Sequence, residues 1–231
     1  MYTLTPFLQN VRIMTVCHIA KGVFVFMIKR TFYNLPEQKR QRIIDAIVEE
    51  FSSSSTEKVS INRIVKTANI SRGSFYQYFD DKVDLVEVLT KSFVDLSIEG
   101  ANKALEYSNG DIFYTYEKLF EIITNFAQDK TQKVILKNLL RSLRANDDLI
   151  SEYLLNRFNG FEELNKIAKQ YNTDNLKFKS PEDVEYLSQI LTQLLKNAIF
   201  NYFVIDVDYQ TVKKTFLRKL EIVKSGAVAQ F

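Results

Sequence analysis

The chain has 231 residues, 46% hydrophobic and 26% charged, with a formal net charge of +3, which is the make-up of a globular protein rather than a disordered one. It holds a single Cys and a single His, Cys17 and His18, which excludes an internal disulfide framework and a Cys/His metal site. Six Gly and three Pro serve the whole length, sparse punctuation that favours long helices over a β-rich fold.

Residues 1–26 show no helical period. Their apolar run, Val23–Ile28, is far shorter than the ~20 residues a membrane span needs. An early basic cluster and a small-residue cleavage site are also missing, so neither export nor a membrane partner is expected, and the chain is expected in the cytoplasm. Lys21-Gly22-Val23 can be encoded with a purine-rich ribosome-binding sequence just before the Met27 codon. Residues 1–26 are therefore expected to be an extension that is not translated or is disordered. Residues 27–82 carry ten Lys/Arg against seven Asp/Glu, whereas residues 83–231 carry 19 against 21. A basic head on a near-neutral body suits an anionic partner.

The first predicted helix starts at Pro36, tolerated in a first turn, with Glu37 at the positive end of the dipole. Ile43, Ile44, Ile47, Val48 and Phe51 form its buried stripe, and the run of serines at 52–55 ends it. Ser60 is a candidate N-cap for a second helix that buries Ile61, Ile64, Val65 and Ala68. Asn69 suits a left-handed turn, Ser71 can cap a short third helix through Phe79, and Asp80 or Asp81 caps the fourth. Two short helices joined by a tight turn and backed by a supporting helix make a helix-turn-helix at 60–79, whose second helix is the one that enters a major groove. Phe75 and Phe79, four apart, face the core. Arg72, Ser74, Tyr76, Gln77 and Tyr78 are left for outward or flanking faces, and Gly73 permits close backbone approach.

The run KRQRIIDAIVEEF…VSINRIVKTANISRGSFYQYFDDKVDLVEVL resembles the N-terminal DNA-binding domain of the TetR family of transcriptional regulators. Asn69–Leu85 follows that family's GVS-x-G-T-L-Y-x-x-F-x-x-K-x-x-L segment, a long motif with its spacing preserved. Two departures stand out. Asn69 replaces the common Gly of the turn, and Ser55 stands where a Gly often ends the first helix, so that loop is expected to be irregular. The resemblance implies that Arg72, Ser74 and Gln77 face DNA, Arg72 pairing with guanine and Gln77 with adenine. Tyr76, Tyr78 and Lys82 would hold phosphates, which set register. Ser60 would offer its hydroxyl and backbone N–H to a phosphate, and Ser71 and Gly73 complete the surface. For Lys29, Arg30, Lys39, Arg40 and Arg42 a solvated face competes with contacts to DNA backbone.

Beyond residue 82, helices are predicted over about 82–106, 112–128, 130–143, 148–171, 182–204 and 209–225. Ser180-Pro181-Glu182-Asp183 is a strong start signal. Leu187, Ile190, Leu191, Leu194, Leu195, Ala198 and Tyr202 belong to an apolar band wider than one internal stripe needs. Phe216 and Leu220 belong to another. In similar proteins the last two helices pair with their copies as a four-helix bundle, which implies that these residues form a homodimer interface. The resemblance also implies an effector cavity in the middle helices, with Phe93, Tyr116, Phe120, Phe126, Tyr153 and Phe158 as candidate lining. A small apolar or aromatic effector fits that lining, and no cofactor or metal is expected.

The chain is thus read as all-α, about nine helices, with a three-helix DNA-binding domain over 27–82 and an effector-binding and dimerisation domain over 83–231. Its expected partners are a double-stranded palindromic operator, a second copy of itself and a small effector. No Gly-rich phosphate loop or nucleophile motif supports an enzyme. A helical interaction module that does not bind DNA is the competing reading.

Overall fold

The computed structural model describes residues 28–126, 128–142, 167 and 170–229. Along these run nine α-helices: α1 (Arg30–Tyr33), α2 (Glu37–Ser53), α3 (Ile61–Thr67), α4 (Arg72–Tyr78), α5 (Lys82–Tyr107), α6 (Ile112–Phe126), α7 (Lys130–Ser142), α8 (Pro181–Phe203) and α9 (Tyr209–Ala227). The nearest thing to a strand among the described residues is an isolated antiparallel bridge between Leu176 and Val228. Most of the helix expected over 148–171 lies outside the described residues.

Local chemistry sets the boundaries. Pro36 sits one position earlier than expected, as the N-cap of α2. The serine run ends that helix as Ser competition predicts: the Ser52 and Ser53 hydroxyls donate to Glu49 O and Glu50 O, and Ser54 turns to an extended backbone. Ser55 keeps a negative φ of −65° and leads into a 3₁₀ turn, Thr56–Lys58. The irregular loop expected there is therefore an ordered turn that needs no glycine.

The turn between α3 and α4 is a Schellman motif. Asn69 takes φ +52°, Ile70 N–H donates to Val65 O and Asn69 N–H to Lys66 O, satisfying carbonyls that α3 leaves open. The caps of α4, α5 and α8 are side-chain oxygens of Ser71, Asp81 and Ser180. Between α5 and α6 the chain turns at Asn109 and Gly110, both with positive φ. A Cβ on Gly110 would lie 2.6 Å from Asn172 N, so only glycine fits.

Two cores result. The head core joins Ile43, Ile47 and Phe51 of α2 to Ile64, Phe75 and Phe79. Val83, Leu85 and Val86 at the start of α5 also belong to it, so the head's packing continues past residue 82. The body core gathers Tyr116, Phe120, Leu191, Leu195, Phe203, Phe216 and Leu220. Helix α7 serves both, with Ile135 and Leu139 in the head core and Leu136 and Leu140 in the body core.

This partition bears on the residues expected at a dimer interface. Leu191, Leu195, Ala198, Phe216 and Leu220 are each 0–6% exposed within one chain, so they fill the body core. The band on α8 is wide because α6, α7 and α9 all pack on it. What α8 and α9 leave outward is Tyr186, Ile190 and Ile222, each at least half exposed. Leu187, Leu194 and Tyr202 are half-buried against the core.

Candidate DNA-binding interface

Helix α4 is seven residues long and has two unlike faces. Phe75 and Phe79 are fully buried, their rings 5.2 Å apart. On the other side Arg72, Tyr76 and Gln77 are exposed, with Ser74 half-buried. The Ser71 hydroxyl accepts from Ser74 N–H at 3.0 Å and lies 2.9 Å from Ser74 Oγ. Both serines thus shape the start of α4 besides lying at its surface.

Arg72 is held rather than loose. Its Nη1 donates to Asn62 Oδ1 at 3.2 Å and its Nη2 to the Tyr76 hydroxyl at 3.4 Å. Its guanidinium lies 5.8 Å from the Tyr76 ring centroid, a cation–π approach. Asn62, on the first turn of α3, joins this surface through Arg72. Sequence reasoning missed it, although its place opposite Ile61 and Ile64 on the helical wheel marks an outward position. A Cβ on Gly73 would meet only Ser71 Oγ, at an ordinary 3.8 Å, so nothing inside the protein requires glycine at this exposed position.

Tyr78 departs from expectation. It is 5% exposed, its ring is 6.3 Å from those of both Phe32 and Phe79, and Lys39 Nζ sits 5.7 Å from its centroid. Tyr78 belongs to the head core, because α1 covers the flank of α4 that the sequence left open. Lys82 is half-buried at the start of α5.

Ser60 takes the N-cap position of α3 without a side-chain capping bond. Its backbone N–H, expected to face a phosphate, instead donates to Glu50 Oε1 at 2.8 Å. Glu50 is 6% exposed and also accepts from Arg63 Nε, 2.8 Å from Oε2, and from Arg63 Nη2. Arg63 Nη2 donates onward to Lys58 O at 2.7 Å. The Arg63 guanidinium holds the Glu50 carboxyl below its ordinary value, and together they pin α3 to the end of α2. Neither residue was singled out in the sequence, since each passes for a surface charge until the helices cross. Arg40 likewise turns inward and donates to Tyr33 O at 3.0 Å, while Arg30 and Arg42 stay exposed.

A second link joins head and body. Asn138 Nδ2 of α7 lies 3.0 Å from Phe51 O and 3.3 Å from Ser54 O, at the C-terminal end of α2. Deeper in the body, the Tyr116 hydroxyl meets Ser188 O, Ser188 Oγ and Thr192 Oγ1 at 2.8–3.0 Å, and burial pushes its pKa up. Phe120 stacks on Phe216 at 4.8 Å, and Phe93 meets Phe126 edge-on at 5.3 Å. Tyr116 and Phe120, expected to line a cavity, are both fully buried and packed by their own neighbours. Tyr153 and Phe158 lie outside the described residues.

A seven-residue helix set by a Schellman turn on a second short helix, both backed by α2, defines a helix-turn-helix protein. Residues 43–89 match the family model described as bacterial regulatory proteins, tetR family, and residues 111–227 match the model of the tetracyclin repressor-like C-terminal domain. The chain belongs to the TetR family of transcription regulators, a family of regulators and not of enzymes. It is 28% identical over 126 residues to the "Probable acrEF/envCD operon repressor" of Escherichia coli (strain K12), which covers 53% of this chain and 56% of that protein. The chain therefore spans little more than half the length of that relative. It is 26% identical over 168 residues to an HTH-type transcriptional regulator of Staphylococcus aureus (strain MRSA252), covering 72% of this chain and 82% of the other. In fold it is similar to a TetR-family transcriptional regulator from Mesorhizobium loti, with a TM-score of 0.56 at 15% identity over 83% of this chain and 98% of that one. Among the described residues, no group of three or more His, Cys, Asp or Glu could hold a metal ion, and no helix is long and apolar enough to cross a membrane.

Proposed function

We propose that this chain is a cytoplasmic transcriptional repressor that binds a palindromic operator as a homodimer and answers to a small apolar or aromatic effector. One observation carries the reading. Helix α4 and its C-cap bury Phe75 and Phe79 completely, while the helix presents Arg72, Tyr76 and Gln77 outward beside an exposed Gly73 that the fold itself does not need. A groove-filling helix needs that division, with close backbone approach at one point. Arg72 pairs with guanine and Gln77 with adenine. Ser74 faces the DNA beside them. Tyr76, Lys82 and the Ser60 hydroxyl fix register on the phosphates, and Ser71 and Gly73 complete the surface.

Two recognition helices about 34–36 Å apart meet successive major-groove faces of a palindrome, so the reading calls for a dimer. Ile190, Ile222 and Tyr186 are the apolar side chains that α8 and α9 leave for it, flanked by Leu187, Leu194 and Tyr202. The name of the E. coli relative supports repression. The effector acts by favouring the conformation whose heads no longer match the half-sites, and it shifts that balance only by its differential affinity for the two states. Helix α5 and the Asn138 link of α7 connect body to head.

The test is selection of bound duplexes from a random DNA pool by the purified chain. Recovery of a palindrome with fixed half-site spacing is expected. A folded chain that enriches nothing at low salt overturns the reading in favour of a helical interaction module.

A further inference from the structure

We propose that Lys29 and Thr31 are positioning residues for sequence reading: they clamp the last turn of α4 and so set where Gln77 and Tyr76 stand. The inference rests on the operator-binding role proposed above.

An α-helix leaves its last four carbonyls without intrahelical partners, and in α4 these belong to Phe75, Tyr76, Gln77 and Tyr78. Phe75 O accepts from Phe79 N–H at 2.9 Å. The other three are all met from the segment ahead of α2. Tyr76 O accepts from Lys29 Nζ at 2.9 Å, Gln77 O from the Thr31 hydroxyl, and Tyr78 O from Lys29 N–H at 3.1 Å. The chain beyond α4 does not supply the bond Tyr76 O would otherwise take, because Asp80 N–H is given to Asp84 Oδ2 at 2.6 Å.

Charge favours the same arrangement. Lys29 Nζ also lies 2.5 Å from Asp80 Oδ1, which places an ammonium at the negative end of the α4 dipole. Ile28 at 6% and Phe32 at 2% exposure anchor the segment on either side, with the Phe32 ring 4.9 Å from that of Phe79. Helix α1 is a single turn of four residues, too short to persist without tertiary support. It is ordered by docking on α4, and α4 is completed by it.

Arg72 sits at the other end of α4, tied to Asn62, whereas Gln77 and Tyr76 lie in the turn whose carbonyls the segment holds. Releasing the clamp frays that turn and blurs base reading. Phosphate contacts made from other positions survive. Lost discrimination with retained electrostatic affinity is the signature that separates a clamp from a phosphate-binding lysine.

The experiment compares the full-length wild type with Lys29→Met, Lys29→Arg, Thr31→Val and Thr31→Ser, on the duplex enriched by the wild type and on a random duplex of equal length. Lys29→Met and Thr31→Val are expected to weaken operator binding on the order of tenfold, the effect of losing one good hydrogen bond. Random-duplex affinity should fall clearly less, by no more than the share of the Tyr76 phosphate contact, and the salt slope should stay at its wild-type value. Lys29→Arg and Thr31→Ser, which keep a donor, should restore discrimination. Without DNA, amide exchange in residues 77–79 should quicken in the Met and Val variants.

Equal losses on both duplexes, with a salt slope shallower by about one per subunit, would make Lys29 a phosphate contact and overturn the proposal. Unchanged discrimination or unchanged exchange in Thr31→Val overturns it as well, in a variant that keeps its shape and fold. A wild-type chain that enriches no duplex removes the operator reading itself and leaves the clamp no discrimination to serve, a failure read on the wild type alone.

Discussion

The head and the body use apolar residues in opposite ways. In the head, an aromatic at every exposed position would be wasted, and α4 separates cleanly: Phe75, Tyr78 and Phe79 at 0–5% exposure inward, Tyr76 at 41% outward. In the body, one broad apolar band on α8 serves three helices, and only Tyr186 and Ile190 remain well exposed on it. A two-turn helix has room for one job per face. A 23-residue helix among several neighbours has faces whose jobs depend on what arrives beside them.

The contrast breaks most visibly at a core position of each region. Phe79→Ala should cost roughly 3–5 kcal/mol, and chemical denaturation should show the head losing its cooperative transition. Leu195→Glu, at 2% exposure, should unfold the body rather than merely separate subunits. Ile190→Glu combined with Ile222→Glu should instead give folded monomers in sedimentation, with the melting temperature of the isolated chain retained. If that pair stays dimeric, the outward remnant of the band is not the interface.

A smaller effect separates reading from holding on α4 itself. Arg72→Ala should weaken operator binding by about 1–3 kcal/mol and leave random duplex nearly untouched, whereas Tyr76→Ala should weaken both. Equal losses for Arg72→Ala would deny it a base. Comparing the two variants by titration at one fixed salt concentration keeps the electrostatic background common.

Glu50 supplies a pH-dependent version of the same division. Its carboxyl is held below the ordinary value by Arg63, so its contribution is present above the unfolded-state pKa and is lost as pH falls through the folded one. Glu50→Gln should therefore destabilise at neutral pH by roughly 1–3 kcal/mol and narrow its gap to wild type in acid. Asp84 works the other way, since burial raises its pKa and its protonation favours the folded chain. Subtracting the variant from the wild type cancels that contribution. A gap that stays constant down through the acid range would remove Glu50 from the linkage. The smallest effect is expected from Asn138→Ala, about 0.5–1.5 kcal/mol, read as a loosened α2–α7 contact in amide exchange.

Much of the head is legible in the sequence. Ser71 as a cap, Asn69 at positive φ and the Phe75/Phe79 pair all follow from bonds made within a few residues, and they stand where the sequence placed them. Tyr78 was misplaced because its cover comes from Phe32, 46 positions earlier. Lys29 and Arg40 stayed open between a solvated face and DNA backbone, and Glu50 and Arg63 drew no reading, for the same reason: their partners sit across a helix crossing or at the end of another helix.

Caps, turns and periodicity are local physics, so the sequence by itself determined that the chain is all-α, where nearly every described helix begins and ends, and which short helix presents Arg72 and Gln77. Apolar periodicity tells that a face is buried but not against what. Only the tertiary structure decided that Leu195, Phe216 and Leu220 fill one chain's own core, that α7 is shared between head and body, and that the segment before α2 completes α4. Burial and hydrogen bonding between distant segments depend on which surfaces meet, and that is a property of the packed whole.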